Sequence, residues 1–211
     1  MVEEGNQGLL KKVGQNRPPF RQYGLFRLAL FEKYGCIDED QIIVDHAKGA
    51  SYYKDIKYAV IFPRQWFDRV QGHEKIYDFV FLGSQDNDGT NSRDWVLEYE
   101  NENSIIKFSS RGRTLQENGR TSFFDPEYFD PMMKTKFVLC PGNTVPEGFE
   151  RWNERFYETI MCNAIPILKK GDIAPDYKHY TFYYHNDKHE YKYDLEIVQS
   201  NLEVFQKRNL L

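Results

Sequence analysis

The stretch of this chain richest in usable chemistry runs from Lys136-Phe-Val-Leu-Cys-Pro-Gly-Asn143 to Arg151-Trp-Asn-Glu-Arg-Phe-Tyr-Glu158 and on through Ala164-Ile-Pro-Ile167. It reads as a strand, a turning loop and a helix whose first residues face the loop, with Asn153 as N-cap. A helix start offers unpaired backbone N–H groups and partial positive charge, a seat that suits phosphate. At helical spacing Arg151, Glu154, Arg155 and Glu158 fall on one side, and Trp152, Phe156, Ile160 and Met161 on the other. Arg155 would then hold a diphosphate, because guanidinium matches phosphate oxygens in pairs. Glu154 or Glu158 would accept the two vicinal hydroxyls of a ribose. Asn143, early in the loop, joins this set. The same spacing also describes a solvated helix face laced by ion pairs three and four residues apart.

Two other clusters carry chemistry. Arg111 and Arg113, in Ser109-Ser-Arg-Gly-Arg, follow a strand and would reach an anionic ligand, or form a basic surface loop. Asp86-Asn-Asp88 also follows a strand and would hold Mn²⁺ against a nucleotide diphosphate. Gln85-Asp-Asn-Asp-Gly-Thr-Asn91 equally has the composition of a solvated loop leading into a helix.

The elements that must position these groups are legible in the hydrophobic pattern. Phe20 to Tyr34 repeats apolar residues at helical intervals and stops at Gly35. Gln41–Asp45 and Tyr58–Phe62 read as short strands, the second stopped by Pro63. From residue 77 a regular alternation sets in. Strands are predicted at 77–82, 104–108, 136–140, 164–168 and 181–184. Helices are predicted from Arg93 to Tyr99 with Ser92 as cap, from Asp125-Pro126 to Lys134, and from Glu154 to Cys162. A closing helix places Leu195, Val198, Leu202 and Phe205 on one face. Strand–helix alternation predicts an α/β fold with a mostly parallel, Rossmann-like sheet. Its ligands belong beyond the carboxyl ends of the strands. The polar segment Gln71–Lys75 predicts a boundary, leaving residues 1–72 as an abbreviated N-terminal α/β part and 73–211 as the ligand-binding domain.

The totals narrow the class further. The chain has 211 residues, a net charge of −4 and no block of Lys or Arg, which argues against a nucleic-acid partner. Aromatics make up 16% of it, which suits a core with wet edges or a carbohydrate-facing cleft. No apolar run approaches the ~18–20 residues of a membrane span. Met1-Val-Glu-Glu-Gly-Asn-Gln7 lacks the apolar centre of a signal peptide. Cys36, Cys140 and Cys162 are few, odd in number and far apart. They fit free thiols in a reducing compartment, and the expectation is a soluble cytoplasmic protein.

The block KTKFVLCPGN…RWNERFYETIMCNAIPIL resembles the C-terminal motif of exostosin-like glycosyltransferases (family 47). In that family a strand ending in Cys-Pro precedes a helix bearing Arg and Glu, followed by Ile-Pro. Upstream, YAVIFP, YDFVFLGS with Arg93, and EYFDPMMKTKF follow the family's order, so the likeness spans roughly residues 57–170. The resemblance implies a GT-B architecture and inverting, metal-independent transfer from a nucleoside-diphosphate sugar (UDP- or GDP-linked) to a glycan or glycoprotein acceptor, with no cofactor. It matches Arg155 to the phosphate-side arginine and Glu158 to the ribose-binding glutamate. Cys162-Asn163-Ala164 departs from the small residue usual before the Ile-Pro strand, and the acceptor domain is barely present. The block is also similar to family 10 fucosyltransferases, where Glu154-Arg155 would be the matching pair. Inverting transfer needs a base, and Asp45-His46, just past a strand of the N-terminal part, is the best placed candidate. Two other readings remain: a non-catalytic nucleotide-sugar-binding module of a larger transferase, and a Mn-dependent GT-A enzyme using Asp86 and Asp88.

Overall fold

The protein was analysed as a computed structural model. It describes residues 20–35, 38, 41–45, 50–54, 56–58, 60–84, 93–109, 124–142, 153–187 and 191–211. The first helix, α1, covers Phe20–Tyr34 and ends where Gly35 takes a φ of 74°, a left-handed conformation that costs glycine little. Three short strands follow: β1 (Ile42–Asp45), β2 (Ala50–Tyr53) and β3 (Ile56–Tyr58). They pair antiparallel in sequence order. The strand expected at 58–62 is not formed. Tyr58 ends β3, while Phe62 makes a lone parallel bridge to Leu210 and donates its N–H to the Asn209 carbonyl. Pro63, which has no N–H to offer a sheet, instead opens α2 (Arg64–Arg69).

Proline supplies no side-chain cap at that helix start, and the Arg64 backbone N–H lowers the pKa of the Glu32 carboxyl of α1. Burial pushes the Glu32 carboxyl above its ordinary range, the Arg64 bond pulls it back, and Asp68 pushes it up again.

The second sheet carries the architecture. Its strands are β4 (Tyr77–Ser84), β5 (Ser104–Ser109), β6 (Thr135–Leu139), β7 (Ile165–Leu168) and β8 (Tyr183–Tyr184). All neighbours are parallel, in the order β5-β4-β6-β7-β8. The chain therefore winds from β4 outward to β5, crosses back to β6, and continues the other way. The reversal lies between β4 and β6. Between the strands run α3 (Pro126–Met133) and α4 (Glu154–Met161), and α5 (Leu195–Arg208) closes the chain. Asp125, Asn153 and Asp194 cap these three helices, each accepting a first-turn N–H.

Two expected elements differ. The 93–99 helix is a 3-10 helix over Asp94–Tyr99 with no side-chain cap, and Ser92 lies outside the described residues. The last strand shrinks to Tyr183–Tyr184 because Thr181 spends both its backbone groups on the Asn201 side chain of α5. In α5 itself Val198, Leu202 and Phe205 are buried as expected, but Leu195 is 70% exposed, one position past the cap.

Packing joins the parts differently from the sequence-based division. Phe79 and Phe137, paired across β4 and β6, stack under Tyr99 and Tyr191. Elsewhere Trp66 meets Phe129 edge-on, and Phe62 and Phe67 both pack on Phe205. The core cluster thus includes Val60, Phe62, Trp66, Phe67 and Val70. Residues on both sides of 72/73 contribute to this cluster. Ala29, Leu30, Ile42 and Tyr53 are buried outside that cluster. No helix among the described residues is long and apolar enough to cross a membrane. Cys140 and Cys162 are free, buried thiols, and Cys36 lies outside the described residues.

Lys75 ties the helix ends together. Its ammonium donates to the Met133 carbonyl at 2.8 Å and the Cys162 carbonyl at 2.6 Å, serving the unpaired C-terminal carbonyls of α3 and α4. Burial pushes its pKa down to about 8, against a smaller upward pull from Cys162. Between about 8 and the ordinary 10.5 the folded chain holds a neutral amine while the unfolded chain holds a charged one. The unfolded state then binds more protons, so stability rises with pH across that window. The unfolding free energy of wild type minus that of Lys75→Met is expected to grow by on the order of 2 kcal/mol between pH 7.5 and 10.5 in urea titrations. A flat difference would show that the carbonyls hold the amine charged throughout.

Candidate functional site

In a doubly wound sheet, the strands on either side of the winding reversal send their following loops in opposite directions and leave a crevice at their carboxyl ends. Here those strands are β4, ending at Gly83-Ser84, and β6, ending before Cys140-Pro141-Gly142. The start of α4 is anchored at this place. Asn153 accepts the Arg155 N–H at 2.9 Å through its side-chain oxygen and donates from its side-chain nitrogen to the Pro141 carbonyl at 2.7 Å. Its own N–H donates to the Tyr177 hydroxyl at 2.7 Å. One buried asparagine therefore caps the helix and staples its first residue to the end of β6. On the strand side, the Gly142 N–H donates to Asp172 at 2.9 Å. A Cβ at Gly142 would stand 2.5 Å from the Asp172 carboxyl carbon, so only glycine fits there.

From the first turn of α4, Arg155 reaches across to β4. Its Nη2 donates to the Leu82 carbonyl at 2.8 Å, and the guanidinium carbon lies 4.8 Å from the centre of the Phe81 ring. The residue keeps some surface, yet Nε is enclosed and has no hydrogen-bond partner. Tyr128 of α3 donates to Glu158 Oε2 at 2.7 Å. Burial alone would lower the Arg155 pKa. Tyr128, Cys140 and Glu158 together outweigh it and hold the value above the ordinary one. Beneath it the Cys140 thiol, pushed up to about 12 by burial, meets the Thr159 hydroxyl and has the chemistry of a packing group.

The expected residues fare differently. Arg155 stands at the crevice, and Glu154 precedes it in the first helical turn with part of its surface exposed. Glu158 is 0% exposed. The helix side expected to carry it toward a ligand or solvent is turned into the core, because Phe156 through Met161 are all buried. The Glu158 carboxyl is engaged by Tyr128, inside the molecule. Asp45 closes β1 in the antiparallel sheet. His46, Asp86, Asp88, Arg111, Arg113, Asn143 and Arg151 lie outside the described residues.

Tyr128, Asp172 and Tyr177 support the site without having been singled out by sequence. Spacing relates residues within one element, and these three come from elements before and after α4. Gly83 is a fourth. A Cβ there would lie 2.7 Å from Arg155 Nη2 and 3.1 Å from the Phe81 ring. Gly83→Ala is expected to lower stability by about 1–2 kcal/mol in urea unfolding, through overpacking that moves the guanidinium off Leu82. No loss would mean that the Arg155 side chain relocates freely. The chain matches no protein-family model, and no curated protein matches it significantly.

Proposed function

We propose that this chain is a metal-independent, inverting glycosyltransferase of GT-B type that binds a nucleoside-diphosphate sugar at the β4–β6 crevice and transfers the sugar to a glycan or glycoprotein acceptor. The observation that carries this is the convergence on that crevice of the capped start of α4 and the Arg155 guanidinium. It is an anion seat where a doubly wound sheet binds ligands. The order β5-β4-β6-β7-β8 suits a Rossmann-like donor domain, and the resemblance of the 136–168 block to exostosin-like enzymes supports the same reading.

In the proposed reaction a base takes the proton of an acceptor hydroxyl, whose oxygen attacks the anomeric carbon from the face opposite the diphosphate. The bond from that carbon to the diphosphate oxygen breaks, and the nucleoside diphosphate leaves with the electron pair. Arg155 and the α4 N–H groups stabilise the charge gathering on it. Glu154, the carboxylate with exposed surface, takes the ribose hydroxyls in place of the enclosed Glu158. Asp45-His46 remains the proposed base.

Calorimetric titration with UDP and GDP, with Mn²⁺ and with EDTA, tests this. Binding of one nucleotide in EDTA is the expected result. Binding that requires Mn²⁺ would move the site to Asp86 and Asp88, and no binding would end the nucleotide reading. The described part before residue 60 is one helix and a small antiparallel sheet, which favours a second reading, a donor-binding module without catalysis. Sugar transfer or donor hydrolysis by the purified chain would exclude that module.

A further inference from the structure

We propose that His185 is a pH-sensitive clamp, which with a proton on each ring nitrogen ties Tyr99 and Glu98 of the 3-10 helix to the end of β8. The clamp stands apart from the nucleotide seat and follows from a count of protons. The Tyr99 hydroxyl lies 2.7 Å from the His185 carbonyl, 3.0 Å from His185 Nδ1 and 2.7 Å from the Tyr191 hydroxyl. Tyr191 donates in turn to the Tyr184 carbonyl at 2.6 Å. Carbonyls only accept, so the two phenol protons are used on the His185 and Tyr184 carbonyls. Burial pushes both phenols above their ordinary range, so neither gives its proton up. Toward the imidazole the Tyr99 oxygen can then only accept, which places a proton on Nδ1.

The other nitrogen faces a carboxylate: Nε2 lies 3.5 Å from Glu98 Oε1. In a neutral ring protonated on Nδ1, Nε2 carries a lone pair, and two acceptors would face each other. A second proton turns that repulsion into an ion pair. Asp187, in the turn after β8, is a further negative charge here, and with Glu98 it acts on Tyr99 and Tyr191. Lys170, just past β7, brings a cation 6.0 Å from the centre of the Tyr184 ring. The imidazole centre is 4.7 Å from that of the Trp95 ring, and its side chain is 11% exposed. Its backbone N–H donates to the Leu168 carbonyl of β7 at 2.8 Å, which anchors the clamp in the sheet. Both ring nitrogens are engaged within the protein, so His185 holds the 3-10 helix and does not serve as a base. That helix is where the chain returns after leaving β4 at the crevice. The unfolded ring loses its proton near the ordinary value of about 6.5, and the folded ring keeps it to higher pH. The clamp therefore stabilises fully below about 6.5 and is lost as pH rises through the folded value.

Nitrogen-15 NMR of the imidazole rings in the full chain, from about pH 5 to 9, tests this, with the His185 signals assigned by their loss in His185→Gln. Both His185 ring nitrogens are expected to be protonated at neutral pH, with a titration midpoint at least about one unit above 6.5. Glu98→Gln is expected to bring that midpoint down by about one unit. The wild-type thermal midpoint is expected to exceed that of Glu98→Gln by roughly 3–4 °C at about pH 6, an excess lost by about pH 9. A purely structural contact would give a difference that does not change with pH. Glu98 is half exposed, so its variant carries the test if His185→Gln does not fold, and the imidazole signals that it shifts then mark His185. A His185 ring that is neutral at pH 7 on either tautomer, or a midpoint that Glu98→Gln leaves in place, overturns the clamp.

Discussion

Arg155→Ala is expected to lower the unfolding free energy by about 3–5 kcal/mol and to weaken nucleotide binding at least tenfold. The stability loss comes from what stays behind. Glu158 and Tyr128 remain enclosed at 0% and 9% exposure, and the cation that faced them is gone. Removing one member of a buried charged set costs more than the set contributes as a whole, because the enclosed carboxyl left behind cannot turn to water in its place. The contact with Phe81 is lost as well. Loss of binding has a separate origin, since the capped α4 start keeps its N–H groups but loses the charge beside them. Arg155→Lys separates the two effects: it keeps a positive charge near Glu158 but gives up the planar fork that reaches Leu82 and a diphosphate together. It is expected to recover most of the stability and little of the affinity. Urea unfolding and calorimetry on the same samples measure both. Full stability of the alanine variant would mean that the remaining contacts of Glu158, Tyr128 among them, hold the carboxyl without the cation.

Phe156→Ala is the second large effect, expected at about 3–5 kcal/mol, with a thermal midpoint roughly 10–15 °C lower. Phe156 is 0% exposed and stacks on Tyr177 with ring centres 3.8 Å apart. It also meets Tyr157, Tyr180 and Phe182 edge-on at 5.3, 5.6 and 5.7 Å. Deleting the ring opens a cavity among side chains that are themselves pinned. The Tyr177 hydroxyl is tied to Asn153, and the Tyr180 hydroxyl to Asn209. A cavity with such walls collapses little, which places the cost at the upper end of the range. Freed of its stacking partner, Tyr177 also holds the Asn153 N–H less firmly, so the start of α4 loosens. Phe156→Leu fills most of the volume and is expected to lose less than half as much. A loss under 1 kcal/mol for alanine, read by scanning calorimetry, would show that Tyr177 swings in to fill the space.

What could be read from the sequence follows the range over which each signal acts. The parallel α/β class was legible because strand and helix periods are local, and β4 through β7, α3 and α4 formed within two residues of their expected positions. The Asn153 cap was legible for the same reason, since it acts on an N–H group two residues away. That Arg155 stands beside the end of β4 was legible in part, from the strand, loop and helix order around it.

Partners distant in the chain decided the rest. Tyr58–Phe62 had the composition of a strand, but Phe62 bridges to Leu210, nearly 150 residues away. Across the border drawn at the polar segment Gln71–Lys75, Phe62, Trp66 and Phe67 share their core with Phe129 and Phe205. Glu158 shows the same limit within the site. A helical wheel places it beside Arg155, and the structure encloses it fully and brings Tyr128 of α3 onto its carboxyl. The sequence alone determined that an arginine would stand at the start of a capped helix beyond a parallel sheet. The tertiary structure decided which of its neighbours are enclosed and which keep exposed surface, because burial depends on the elements that pack over a residue and not on the helix that carries it.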